Sequence, residues 1–231
     1  MRNTTPPQDP SVLSYFGLRK AVGVIGFALP FVLAFGKMIW TKPPGLQLSI
    51  SAYYYTDMRN IFVGGLCAIA LFLFATKGYD HRDAIASRLS CLFALGVAFF
   101  PTKPEYCFTT SQRIIGAIHL AFAALLFITL GFFCLFQFTQ TNTPGHQTAM
   151  KLKRNLVYTL CGYTIFACVA LCAIFGLIHL ISQREIWRGH LFWFESIAIV
   201  AFGFAWLTKG ELILKDGTPA QHRTFARVPD Q

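Results

Sequence analysis

Glu195 is the one acidic residue that lies well inside an apolar run, between Phe194 and Ser196. A carboxylate at bilayer depth needs a cation, a hydrogen-bond donor or a proton, so it marks a candidate site by default. His119 follows Arg113 by six residues, about 9 Å along a helix. It is the best-motivated partner for Glu195, with Arg59 the other. His179 closes the fifth apolar run and His190 opens the sixth; Asp57 and Arg59 stand at the mouth of the second. His190 and Glu195 are separated by about 140° on an ideal helix, so they share a face only if His190 precedes the helix.

Three chemistries suit these residues. The first is a polar pocket open to the outside that binds a lipid-like ligand, lined by His119, Glu195, Asp57, Arg59, Ser51 and Tyr54. The second is a metal site. Three histidines (His119, His179, His190) beside carboxylates are zinc donors, and zinc-bound water can attack an ester or amide of a lipid headgroup. The chain has no HExxH element, so zinc enters as an option, not a requirement. The third is a proton or cation path through Glu195, against which the inner half of the helices offers few buried polar residues. Plainer roles compete with each. Asp57 or Thr56 caps the second helix. Arg59 and Arg113 snorkel to headgroups. His179 and His190 are interfacial. His119 and Glu195 form a structural bond between helices.

These residues need helices to position them. Of 231 residues, 55% are hydrophobic and 13% are charged, about half the charged share of a soluble domain. Mean hydropathy is +0.51. A water-soluble enzyme, a disordered chain and a disulfide scaffold are excluded as first readings. Crossing a hydrocarbon core takes about 20 apolar residues, and six runs qualify. They lie at about Leu18–Trp40, Asn60–Thr76, Ala86–Phe100, Arg113–Phe138, Asn155–Ser182 and Leu191–Thr208. Pro30 predicts a kink in the first. The expected architecture is an all-α bundle of six transmembrane helices over residues 18–210, between a polar N-terminal tail (1–17) and a polar C-terminal tail (211–231). The first run is expected to remain as a signal anchor.

Basic residues orient such a bundle. Thirteen fall on the side of the termini: Arg2, Arg19, Lys20, Lys77, Arg82, Arg88, Lys151, Lys153, Arg154, Lys209, Lys215, Arg223 and Arg227. The other seven are Lys37, Lys42, Arg59, Lys103, Arg113, Arg184 and Arg188. The bias puts both termini in the cytoplasm, and a bacterial inner membrane is the expected location. The net charge of +10 therefore reads as helix anchoring. Membrane lipids, and a second copy of the chain, are the expected partners; nucleic acid is not.

Several side chains read as packing or anchoring. Tyr53, Tyr54 and Tyr55 in the first outer loop suit a membrane interface. Cys161, Cys168, Cys172 and His179 run along one face of the fifth helix over about 27 Å, which fits close helix contact and is too long for one metal site. Gly23, Gly26, Gly64, Gly65, Gly116 and Gly203 read as close-packing positions. Trp40, Trp206 and Lys209 read as interface anchors, and Gly78-Tyr79-Asp80 as an inner turn. Of the seven cysteines only Cys107 lies in a loop, so no disulfide framework is expected.

The order Ser49-Ile50-Ser51-Ala52-Tyr53-Tyr54, then Arg59, His119 in the fourth helix and Glu195 in the sixth, resembles the FRAG–DRAM–Sfk superfamily of six-helix membrane proteins. The stretch from Trp193-Phe194-Glu195 through Trp206-Leu207-Thr208-Lys209-Gly210 looks like the end of uncharacterised bacterial membrane proteins. The resemblance implies a six-helix fold and roles touching lipid or GPI-anchor remodelling, lysosomal or autophagic regulation and sterol-linked phenotypes, with no single catalytic mechanism. The seven-helix ceramidase–receptor superfamily holds zinc with three histidines near Ser and Asp; this chain has Ser51 and Asp57 but lacks the paired HxxxH and one helix.

Overall fold

The computed structural model describes residues 15–41, 44–76, 81–140, 148–182 and 189–214. Among them every regular element is helical: α1 (Tyr15–Trp40), α2 (Arg59–Ala75), α3 (His81–Phe99), α4 (Thr110–Phe132), α5 (Ala149–Ser182) and α6 (Leu191–Lys209). A 3₁₀ turn, Ser51–Tyr55, precedes α2, and a π-helical segment, Phe133–Gln137, extends α4. The boundaries follow the apolar runs closely because a chain in lipid must pair its backbone polar groups internally, so a helix persists as long as the apolar run does. The helices start earlier than the runs where polar residues can cap them. Thr109 accepts the Gln112 amide while the Gln112 side chain accepts the Thr109 amide, a capping box that begins α4.

Four segments are long and apolar enough to cross a membrane: Gly17–Trp40, Thr110–Gln137, Ala149–His179 and Leu191–Lys209. Helix α2 is equally apolar but shorter, and α3 opens on His81-Arg82-Asp83. The helices form a ring: each packs on its neighbours in sequence, and α1 closes on α6. Large apolar side chains such as Phe35, Leu71, Leu120, Leu160 and Ile174 point outward and stay exposed, as a surface facing lipid tails would require.

The α1–α6 seam is the closest contact. A Cβ placed on Gly203 would run into the Phe27 backbone, and one on Gly23 would meet Leu207. Gly26, Gly65 and Gly116 are also packed against neighbours, but Gly64 faces open space; it is an exposed position, not a packing one. Pro30 sits inside α1, which continues past it to Trp40. Trp206 is a core residue rather than an interface anchor. It is 3% exposed and set edge-on to Phe133 and Phe138. Trp40 is 72% exposed. All seven cysteines are free, with Cys134, Cys161 and Cys168 buried. The turn at Gly78-Tyr79-Asp80, the basic residues Arg2, Lys42, Lys77, Arg184, Arg188, Lys215, Arg223 and Arg227, and nearly all of both tails lie outside the described residues.

Candidate functional site

At the end of the bundle opposite the start of α1, the loop between α1 and α2 folds over the helix ends. Its 3₁₀ turn begins with Ile50, which has no capping side chain of its own. Ser49 Oγ accepts the Ala52 amide at 3.0 Å, leaving the two preceding amides to be satisfied. Glu195, in the second turn of α6, supplies the acceptor: its Oε2 takes the Ile50 N–H at 2.6 Å, and the Ser51 amide also faces it. A carboxylate at the positive end of a helical turn is favourable electrostatics, and a hydrogen bond to a charged group contributes about 1.5–3 kcal/mol. Glu195 therefore caps, from 145 residues away, a turn that cannot cap itself.

His119 does the corresponding work at a C-terminus. It is buried on α4, and its Nδ1 lies 2.6 Å from Phe100 O, one residue past the end of α3. A carbonyl only accepts, so the ring carries a proton on Nδ1. The last carbonyls of a helix lack intrahelical donors, and His119 satisfies one. The expected bond between His119 and Glu195 is thus replaced by two separate ones. Each side chain pairs with an orphan backbone group instead, and among the described residues no hydrogen bond joins them. Phe122, stacked on Phe100 at 5.6 Å between ring centroids, seats against Gly96 beside this contact.

The turn ties the two caps together. Tyr55 donates to Thr102 O at 2.6 Å, across to the α3–α4 loop. Arg59 donates to the Tyr54 hydroxyl at 2.6 Å and lies over its ring, 4.2 Å from the centroid. Ser51 is buried, Tyr54 partly buried, and Asp57 and Arg59 exposed. Thr56, not Asp57, serves the entry to α2: its Oγ1 accepts the Met58 amide at 3.2 Å and donates to Tyr53 O at 2.8 Å. Glu195 itself is partly exposed, with Cys172 of α5 close enough to interact electrostatically.

The three histidines do not converge with the carboxylates. His190 is exposed and precedes α6 as its N-cap residue, with its ring against Phe175 and Phe194 at 6.2 and 6.4 Å. His179 lies in the last turn of α5, and His119 serves α3. Among the described residues no group of three histidine, cysteine, aspartate or glutamate side chains is placed to hold a metal ion.

Tyr53 differs from its neighbours. It is fully buried against Phe192, with ring centroids 6.3 Å apart. Its hydroxyl has no hydrogen-bond partner among the described residues; the Gln47 backbone faces the oxygen without reaching bonding geometry. Burial pushes the phenol up from its ordinary value of 10.0, and Gln47 pulls it partly back. A phenol raised in the fold contributes stability below the unfolded value that is lost as pH rises past it. Tyr53→Phe removes an unsatisfied polar group, so it should raise stability by about 1 kcal/mol. It should also blunt the fall in melting temperature above about pH 10. Thermal unfolding at stepped pH tests both; a destabilised Tyr53→Phe would mean the hydroxyl is bonded.

The opposite end of the bundle holds polar residues that the sequence reading took for anchors or passed over. Arg19 of α1, Asp83 of α3, Arg154 of α5 and Lys209 of α6 are all buried, as are Ser87, Ser90, Gln137 and Thr208. The expectation of few buried polar groups in this half is overturned, and Lys209 is an inward-facing residue, not an interface anchor. Just inside helix ends, such residues have the spacing of ordinary anchors; only the closed ring reveals that they point inward. The chain matches no protein-family model, no curated protein and no solved structure.

Proposed function

We propose that the chain is an integral membrane protein of six transmembrane helices, both termini cytoplasmic, that binds a lipid-like ligand at its outer end. A bacterial inner membrane is the proposed location. Helix α2, apolar but shorter, and α3 belong to the same ring as the four long helices, which supports six spans. The distribution of basic residues supports the orientation, and the likeness to FRAG–DRAM–Sfk proteins at Ser49–Tyr54, Arg59, His119 and Glu195 supports a lipid-linked role.

The observation that carries the reading is one anchored anion and one anchored cation on the same short turn. Glu195 is fixed to Ile50 at its start, Arg59 to Tyr54 near its end, and neither is fully buried. A zwitterionic headgroup has the complementary charges: a phosphate for Arg59, which can engage it through two N–H groups, and an ammonium for Glu195. Phe175, Phe194 and His190 form an aromatic group where Glu195 enters α6, and aromatic faces attract ammonium groups.

Native mass spectrometry of the delipidated protein titrated with phosphatidylethanolamine tests this. Arg59→Ala and Glu195→Gln should each lower lipid occupancy by about tenfold, the effect of losing one charge-assisted contact, while Arg113→Ala, exposed at the same end, should not. Equal occupancy in all variants would overturn the proposal. So would stoichiometric zinc lost in a His119→Ala/His190→Ala double variant, which would favour a metal-dependent hydrolase.

A further inference from the structure

A hydroxyl inside a lipid-embedded helix has few places to turn. Those of Thr129, Thr164, Ser196 and Thr208 each donate to the carbonyl four residues earlier in their own helix, at 2.6–2.9 Å. Tyr163, beside Thr164 on α5, does not, because its rigid ring carries the hydroxyl away from its own backbone. The residue is 63% exposed and makes no hydrogen bond among the described residues.

Depth makes that exposure costly. Tyr163 follows Arg154 by nine residues and precedes Cys172 by nine, about 13 Å each way along the helix. Arg154 marks the end of the bundle that carries the basic anchors, and Cys172 is level with Glu195 at the other. A hydrocarbon core is about 30 Å thick, so the phenol lies near its middle, where lipid tails offer neither donor nor acceptor.

The face around Tyr163 is open. Tyr158, Cys161, Ile165 and Cys168 turn into the ring and are buried. On the other side Leu156, Leu160, Tyr163, Ala167, Ala170 and Ile174 recur at alternating intervals of four and three, and all six are exposed. That is the spacing of a left-handed helix–helix seam, and small side chains at 167 and 170 permit close approach. Of the four long spans, α5 is the least covered by the rest of the protein.

We propose that this face of α5 is the contact between two copies of the chain, related by a twofold axis along the membrane normal, with their Tyr163 hydroxyls bonded to each other. The face is self-complementary in that arrangement. One topology for all copies puts the two hydroxyls at the same depth, and a twofold axis sets each residue opposite or near its own equivalent. A hydroxyl both donates and accepts, so two of them satisfy each other while the apolar positions pack above and below. Lipid tails have no polar group for this depth, and an unrelated helix would need one placed to match. The interface rests on the reading of α5 as a transmembrane span, and not on the lipid site at the outer end.

The test uses the full-length protein in lipid vesicles, with copies carrying donor and acceptor dyes and energy transfer followed as the protein is diluted in lipid. The parent should show a dimer that dissociates on dilution. Tyr163→Phe should weaken it by about 3–30-fold, the range for one hydrogen bond between transmembrane helices. Ala167→Trp should weaken it further by blocking close approach. Both changes lie on an open face, so neither should impair folding. Leu71→Trp, exposed on α2, should leave the dimer unchanged. A parent that is monomeric at every dilution, or equal energy transfer in all variants, would overturn the interface. A second arm examines the span itself. In the Ala167→Trp background, Tyr163→Cys should resist a membrane-impermeant maleimide applied from both sides, while the exposed Cys107 reacts, with the modified sites located by mass spectrometry. Modification at 163 would sink the transmembrane reading of α5 and the interface with it; protection at 163 in a monomeric protein would sink the interface alone.

Discussion

Gly203→Ala is expected to lower the melting temperature of the detergent-solubilised protein by about 4–12 °C, from about 2–3 kcal/mol of overpacking. An added methyl at residue 203 would meet backbone, namely the Phe27 nitrogen and Cα and the Gly23 carbonyl, none of which can rotate away. Helices α1 and α6 would have to separate along their closest seam, and the ring would open where its first and last helices meet. Between helices in lipid, close packing of small residues replaces the hydrophobic drive available in water. Gly64→Ala and Gly176→Ala provide the contrast, since nothing lies within 4 Å of a Cβ at either position. They should hold or raise stability by up to about 1 kcal/mol, the helix propensity gained over glycine. If Gly203→Ala and Gly64→Ala melt alike, the seam is not as the structure has it.

The helical frame was legible because bilayer thickness and apolar run length are tied together: α6 begins at Leu191 as the sequence indicated, and the others start a few residues before their runs, α4 at the Thr109 capping box. Packing partners were less so. Gly64 and Gly65 are adjacent and identical in type, yet Gly65 meets Leu29 while Gly64 meets nothing. Which side of α2 faces α1 is a property of the ring, and a uniformly apolar helix has little periodicity from which to read it.

Glu195 and His119 each bond to a group distant in sequence, but not to the partner expected of them. Pairing His119 with Glu195 assumes that buried polar side chains seek each other. Backbone groups at element ends are competitors, and they are more numerous. Here the competitors are a short turn with no cap at Ile50 and an orphan carbonyl at Phe100. The buried basic residues at the other end were missed for another reason. Arg19, Arg154 and Lys209 lie where positive-inside anchors belong, and sequence position alone does not distinguish a cation facing headgroups from one facing a neighbouring helix. Asp83, two residues into α3 and 1% exposed, was the available hint, because an acidic residue among these cations has little role as an anchor.

Glu195→Ala is expected to release the Ile50 amide. With the carboxylate gone, the first amides of the 3₁₀ turn lose their acceptor and the turn loses its tie to α6. A charge-assisted hydrogen bond of about 1.5–3 kcal/mol corresponds to about 10–100-fold in an opening equilibrium. Hydrogen–deuterium exchange over the 49–55 segment should accelerate by that factor. Glu195→Gln should show a smaller effect, since the amide oxygen still accepts but without charge. His119→Ala should loosen the end of α3 instead, leaving exchange at Ile50 close to that of the parent. The double variant carries the sharpest information. Two caps acting on different elements should add within about 0.5 kcal/mol, whereas a direct His119–Glu195 bond would make the second substitution nearly costless after the first. Strong non-additivity, or an Ile50 amide indifferent to Glu195→Ala, would return the two residues to a single pair. Additivity would leave Glu195 as the strap that fixes the turn on which Arg59 and Tyr54 are mounted, so losing it should weaken the lipid binding proposed for this end of the bundle even for ligands that never touch the carboxylate.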